Sequence, residues 1–259
     1  MSKTVGIIGG VGPETTAEFY LAVVFGCSER MRHREHRPSI LIASIPLPYG
    51  VEEDLLLRAT GGERYISYLQ GAARTLQKGG ADFIVMPCNT LHLYIEEIRE
   101  AVHVPVLSIV EETAKFLQRK GISRVGILAT PMSLQGKLYE TALAAAGIEQ
   151  VVPDEFEQAK MGRMILSIVQ NRHDNRDRLE IQKVVEGFAR QGVENVILAC
   201  TDLQLLIPQH PSLQIFDTMQ IFADVVIERC FPSPEIILRP CESSYFDEGS
   251  EIGGNNIIF

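Results

Sequence analysis

The 259-residue chain is 46% apolar and 22% charged, enough for one large or two small folded domains and against extended disorder. Its net charge of −9 without a dense Lys/Arg cluster excludes nucleic acid as the expected partner. The short basic run Arg30-Met31-Arg32-His33-Arg34 is interrupted by Glu29 and Glu35 and reads as a solvated surface. No apolar run approaches the roughly 18 residues of a membrane span, and Met1-Ser2-Lys3-Thr4 passes into a strand pattern rather than a signal peptide. Five cysteines, at 27, 88, 200, 230 and 241, form no CxxC pair, which argues against a disulfide framework or a structural zinc site. The expectation is a cytoplasmic protein with reduced thiols, no metal and no membrane contact.

Val5-Gly6-Ile7-Ile8-Gly9-Gly10 predicts a first strand, and Val11-Gly12-Pro13-Glu14 the entry to a helix, with Pro13 at a first helical position. A dinucleotide fingerprint fails here: Thr15 stands where a third glycine is needed, and the second strand, Ser39–Ile45, ends without a ribose-binding acid. Free N–H groups at this turn suit a small carboxylate better. Pro46-Leu47-Pro48-Tyr49-Gly50 forms a loop on the same sheet edge, where Tyr49 is either a pocket wall or ordinary loop packing. Apolar spacing predicts a helix over Glu63–Lys78. A buried strand then leads to Cys88, a helix begins near Thr90, and a short strand follows at Val104–Ile109.

The pattern then starts again. Arg124–Thr130 repeats the opening strand with Gly126 in the place of Gly6, 120 residues on; helices are expected over Ser133–Ala146, Gly162–Gln170 and Arg178–Gln191. Gly192-Val193-Glu194-Asn195-Val196-Ile197 leads to Cys200 as Gly80-Ala81-Asp82-Phe83-Ile84-Val85 leads to Cys88, 112 residues earlier. Two matched landmarks at similar offsets indicate an internal duplication. The predicted fold is α/β: two similar Rossmann-like parallel-sheet domains related by a pseudo-two-fold axis, with the active site in the cleft between them. The expected division is 1–112 plus 211–259 for the first domain and 113–210 for the second, the apolar helix Ile221–Cys230 packing back on the first half. From Phe231 onward the Pro- and Gly-containing tail has the composition of an extended arm, interfacial or unstructured.

An isolated cysteine at a strand end is ordinarily a small buried hydrophobe, which suits Cys27, Cys230 and Cys241. Cys88 and Cys200 differ, since both lie at equivalent points of the repeat and both precede a threonine at a predicted helix start. A helix N-terminus lowers a thiol's pKa, so thiolate is expected near neutral pH. Nucleophilic catalysis needs one cysteine and a partner base, for which His92, one turn beyond Cys88, is the near candidate. Two equivalent thiols on opposite faces of a substrate suit two-base proton transfer: one thiolate takes a proton from carbon while the other thiol delivers one, the pair titrating together.

Gly9-Gly10-Val11-Gly12-Pro13, Pro87-Cys88-Asn89-Thr90-Leu91-His92 and Ala199-Cys200-Thr201-Asp202 resemble the PLP-independent aspartate/glutamate racemases, most of all the aspartate racemases, over about Val5 to Ile227. The resemblance implies a small amino-acid substrate, no cofactor, frequent homodimers, and Cys88 acting on the D- and Cys200 on the L-enantiomer. It also implies that Asn89, Thr90 and Thr201 hold the α-carboxylate, with Val11, Thr130 and Ser133 near the substrate. Departures fall at the side-chain contacts. Val11 replaces the commoner Met and Asp202 the commoner Glu, Gln170 stands near the position of a carboxylate-gripping lysine, and Phe222 takes the place of a frequent histidine. Lys160 or Arg163 is the candidate replacement for that lysine. The alternatives are a racemase of glutamate or another amino acid, a maleate-isomerase or decarboxylase chemistry using a single cysteine, and a carboxylate-binding module without turnover.

Overall fold

The computed structural model describes residues 3–30, 37–46, 51–206 and 210–231. Tyr49, the basic run beyond Arg30 and the tail after Phe231 lie outside the described residues. The first half runs β1 (Thr4–Gly9), α1 (Pro13–Arg30), β2 (Ser39–Ser44), α2 (Val51–Leu57), α3 (Ile66–Lys78), β3 (Phe83–Val85), α4 (Ile95–Glu100) and α5 (Ile109–Arg119). The second runs β4 (Arg124–Ala129), α6 (Pro131–Gln135), α7 (Glu140–Ala145), β5 (Glu149–Val151), α8 (Glu155–Val169), α9 (Asn175–Arg190), β6 (Asn195–Ala199), β7 (Gln214–Asp217) and α10 (Thr218–Cys230).

All described strand pairs are parallel. The sheet orders, β2-β1-β3 and β5-β4-β6-β7, place a central strand between an edge strand and the cysteine-bearing strand in both halves. The duplication read from Gly6 and Gly126 is therefore a duplication of topology. β7, in the stretch expected to belong with the first half, pairs with β6 in the second sheet, and α10 then packs against α1.

Local differences have identifiable causes. The expected strand at 104–109 makes only one bridge, Ile84 to Val106, because Pro105 supplies a carbonyl but no N–H to the ladder. The expected helix over 133–146 is two pieces, broken where Gly136 abuts Leu93 and Lys137 adopts φ 53°. The helix predicted from Glu63 opens as a 3-10 turn, Gly62–Tyr65, before α3. α8 and α9 begin earlier than their apolar spacing suggests, each at an Asp capping box, Asp154 with Glu157 and Asp174 with Asp177. α2, α5 and β5 were not anticipated.

Side chains alternate along the central strands and both faces are apolar. Val5, Ile7, Val125, Ile127, Ile197 and Ala199 share one cluster with α1, α5 and α10, so a single core joins the halves. Ile8 and Ile84 face a second cluster with α3, and Leu128 and Leu198 a third with α8 and α9. Among the described residues no helix is long and apolar enough to cross a membrane.

Phe222, at the position expected for histidine, is fully buried on α10, its ring 5.8 Å from Phe19 and edge-on to His92 at 6.4 Å. Replacing it with alanine leaves a cavity at the junction of the halves, so Phe222→Ala is expected to lower stability by about 3–5 kcal/mol in denaturant unfolding. Phe25→Ala on the exposed face of the same α1 bundle is expected to change it by no more than about 0.5 kcal/mol.

Candidate active site

Both cysteines sit at the carboxyl edge of their sheets, where open parallel sheets bind ligands. After β3, the Cys88 N–H turns back to the Met86 carbonyl (2.9 Å), and Asn89 leads into a 3-10 turn, Thr90–Tyr94. Cys200 follows β6 directly and caps a 3-10 turn, Thr201–Leu205. The helix starts expected at both cysteines are thus short 3-10 turns. Cys88 and Cys200 line one cleft of about 550 Å³, including the part open to solvent.

Of the residues singled out in the sequence, Val11, Cys88, Asn89, Thr90, Thr130, Cys200 and Thr201 line this cleft together. Ser133 stands behind it. The Thr130 hydroxyl caps α6 by accepting the Ser133 N–H (3.1 Å) and lies 2.9 Å from both the Thr90 and the Ser133 hydroxyls. This buried triangle joins the Cys88 turn to the end of β4. Asn89 is similarly held: its Nδ2 donates to Thr218 (3.0 Å), and its Oδ1 accepts from the Tyr139 hydroxyl (2.5 Å). The Thr218 hydroxyl in turn donates to the Leu198 carbonyl (2.7 Å) just before Cys200.

Gly10, at φ 86°, makes the turn after β1, where a Cβ would lie 2.8 Å from the Ile45 carbonyl oxygen. The helix that follows aims Thr15 across the cleft, its hydroxyl donating to Asp202 Oδ1 at 2.8 Å. The other Asp202 oxygen is 3.7 Å from Cys200 Sγ, placed to accept the thiol proton. Gln204 bonds Glu18 nearby. Asp202 was noted only as a motif variant. Its position beside the sulfur follows from the 3-10 turn, which brings a residue two further on back toward the cysteine.

The expectation of easily formed thiolates is reversed. Burial pushes the Cys88 thiol up to about 12, against the backbone N–H groups of Leu91 and Thr90, which favour its thiolate. Burial likewise pushes Cys200 well above the ordinary thiol value, and the Asp202 charge and that of Cys88 add to the effect. Desolvation outweighs the few donors a five-residue turn supplies. Asp202 is itself raised by burial, with the Thr15 bond opposing. The two sulfurs share these influences: backbone N–H groups favour both thiolates and the Asp202 charge opposes both, the Asp202 carboxylate lying within reach of the Cys200 thiol proton.

His92 is not a base for Cys88. Its Nδ1–H donates to the Cys88 carbonyl (2.7 Å), Nε2 accepts the Ile109 N–H (3.1 Å), and burial holds its pKa down at about 4. The neutral ring braces the loop. Lys160 and Arg163 stay away from the cleft. Lys160 pairs with Glu180 at 2.8 Å and lies over the Phe156 ring, while Arg163 borders a separate hollow beside Glu155. Gln170 reaches Glu53 at 3.4 Å, and from that turn it is Val169 that lines the cleft. Leu55, Leu56, Tyr65 and Leu91 complete an apolar wall; the first two come from α2, an element the apolar spacing did not reveal. Among the described residues no group of three His, Cys, Asp or Glu side chains is arranged to hold a metal ion.

The family model for Asp/Glu/hydantoin racemase matches residues 8–226. The broad-specificity amino-acid racemase RacX of Bacillus subtilis is 32% identical over 209 residues, covering 78% of this chain and 87% of that protein. The structure of an aspartate racemase homologue from Pyrococcus horikoshii superposes with a TM-score of 0.70 at 29% identity, covering 87% of this chain and 98% of that one. The aspartate racemase of Picrophilus torridus shares the fold, with a TM-score of 0.71 at 24% identity over 88% of this chain and 94% of its own. With its motifs, its paired sheets and a family match across most of its length, the chain belongs to the Asp/Glu/hydantoin racemase family.

Proposed function

We propose that this protein is an amino-acid racemase that inverts Cα by proton transfer between Cys88 and Cys200. The observation that carries the reading is that two thiols from equivalent ends of a duplicated unit line one cleft, close enough for the charge of one to raise the other. A one-cysteine isomerase or decarboxylase has no need of that arrangement. One thiolate removes the α-proton as the other thiol protonates the opposite face, and the carbanion is held through its carboxylate by the Thr90 and Thr201 hydroxyls and the turn N–H groups. A bound ammonium beside Asp202 relieves part of the desolvation that keeps both thiols neutral. Aspartate is the substrate the motifs imply, but the Bacillus relative is described as broad in specificity. The cleft offers donors for one carboxylate and, among the described residues, no lysine or arginine for a second.

In D₂O, turnover of either enantiomer is expected to place deuterium at Cα of the product, read by proton NMR. Cys88→Ala and Cys200→Ala should each lower racemisation by about 10²–10⁴-fold or more, and full activity in either variant eliminates the two-base scheme.

The pH dependence follows from the raised thiols. Because the base form is scarce below its pKa, kcat/KM should rise about tenfold per pH unit from pH 6 to 8. Asp202→Asn removes a negative charge that raises both thiols, so the rising limb should move to lower pH. The equilibrium constant of racemisation is unity, so the shift must appear equally from both enantiomers. Circular dichroism of initial rates measures it.

A further inference from the structure

The four substituents of an α-carbon must each face a different part of the cleft. On the racemase reading the proton faces a sulfur and the carboxylate faces the hydroxyls of Thr90 and Thr201. The ammonium then falls to Asp202, the carboxylate of the described lining. The side chain is left with the remaining wall, Val11, Leu55, Leu56, Tyr65, Leu91 and Val169. That wall is held firmly in place. α2, which carries Leu55 and Leu56, lies against α8 at Gly162, where a Cβ would stand 2.6 Å from the Leu56 carbonyl oxygen.

We propose that the side-chain half of the cleft selects amino acids with uncharged apolar side chains, of the leucine and methionine class, over those with a second carboxylate. Against this wall a β- or γ-carboxylate loses its water and, among the described residues, meets no lysine or arginine in the cleft. It also adds a negative charge to a site that already holds Asp202, with Glu18 close enough to feel that carboxylate. The whole chain, at −9, repels an anionic substrate further. An apolar amino acid enters as a zwitterion with both charges matched and its side chain buried against carbon.

This inference rests on the racemase reading, and the test separates the two. Racemisation of L-leucine, L-methionine, L-aspartate and L-glutamate is followed with the full chain by chiral chromatography. Leucine or methionine is expected to exceed both acids in kcat/KM by at least about tenfold, the scale on which an unpaired polar group is rejected by an apolar pocket. Val169→Lys, at a half-buried position of the wall, should shift the aspartate-to-leucine ratio toward aspartate by about tenfold, and Val169→Gln by less than about threefold. Aspartate or glutamate preferred by the wild-type chain overturns the inference and leaves the racemase reading intact, as does a ratio unmoved by Val169→Lys in a folded variant. No turnover of any of the four overturns the inference, and no deuterium uptake at Cα from any of the common amino acids overturns the racemase reading with it.

Discussion

The wedge of α10 in the core shared by the two sheets is the constraint on which the site depends. Phe222, Val226 and Ile227 belong to one cluster with Val5, Ile7, Val125 and Ile127, so neither sheet can shift without opening the core that holds the other. Hydrogen bonds then set the fine spacing. Thr218, at the start of α10, joins Asn89 beside one cysteine to the Leu198 carbonyl before the other. Thr15 to Asp202 and Thr90 to Thr130 join the two halves again beside the cleft. On the proposed reading, thiols that act on opposite faces of one carbon are thereby carried on rigid strand ends, where an error of an ångström is costly.

The same burial that fixes the thiols works against their ionisation. Cys88 is pushed up to about 12 and Cys200 well above the usual thiol range, mainly by loss of water. On the proposed reading, the substrate's α-ammonium brings the compensating charge and is received beside Asp202. Binding and activation are then one event, driven by the electrostatics of the substrate itself.

The duplication was legible because an apolar run with a glycine eight residues before the cysteine recurs in both halves, and buried parallel strands leave that signature. Helix edges were less legible where apolar spacing was followed and caps were not, as at Asp154 and Asp174. α2 escaped because seven residues between a proline-rich loop and a glycine pair give too short a window for periodicity. That short helix supplies Leu55 and Leu56 to the apolar wall of the cleft, so the wall was not visible at the level of sequence.

Sequence alone determined the α/β class, the repeat, the two cysteines and their neighbouring threonines, since each of these is local and periodic. Only the tertiary structure decided that Asp202 faces Cys200, that His92 spends both nitrogens on backbone, and that Val169 rather than Gln170 meets the cleft. Those outcomes depend on desolvation and on contacts between residues far apart in the chain. Neither quantity has a signature in the order of the residues.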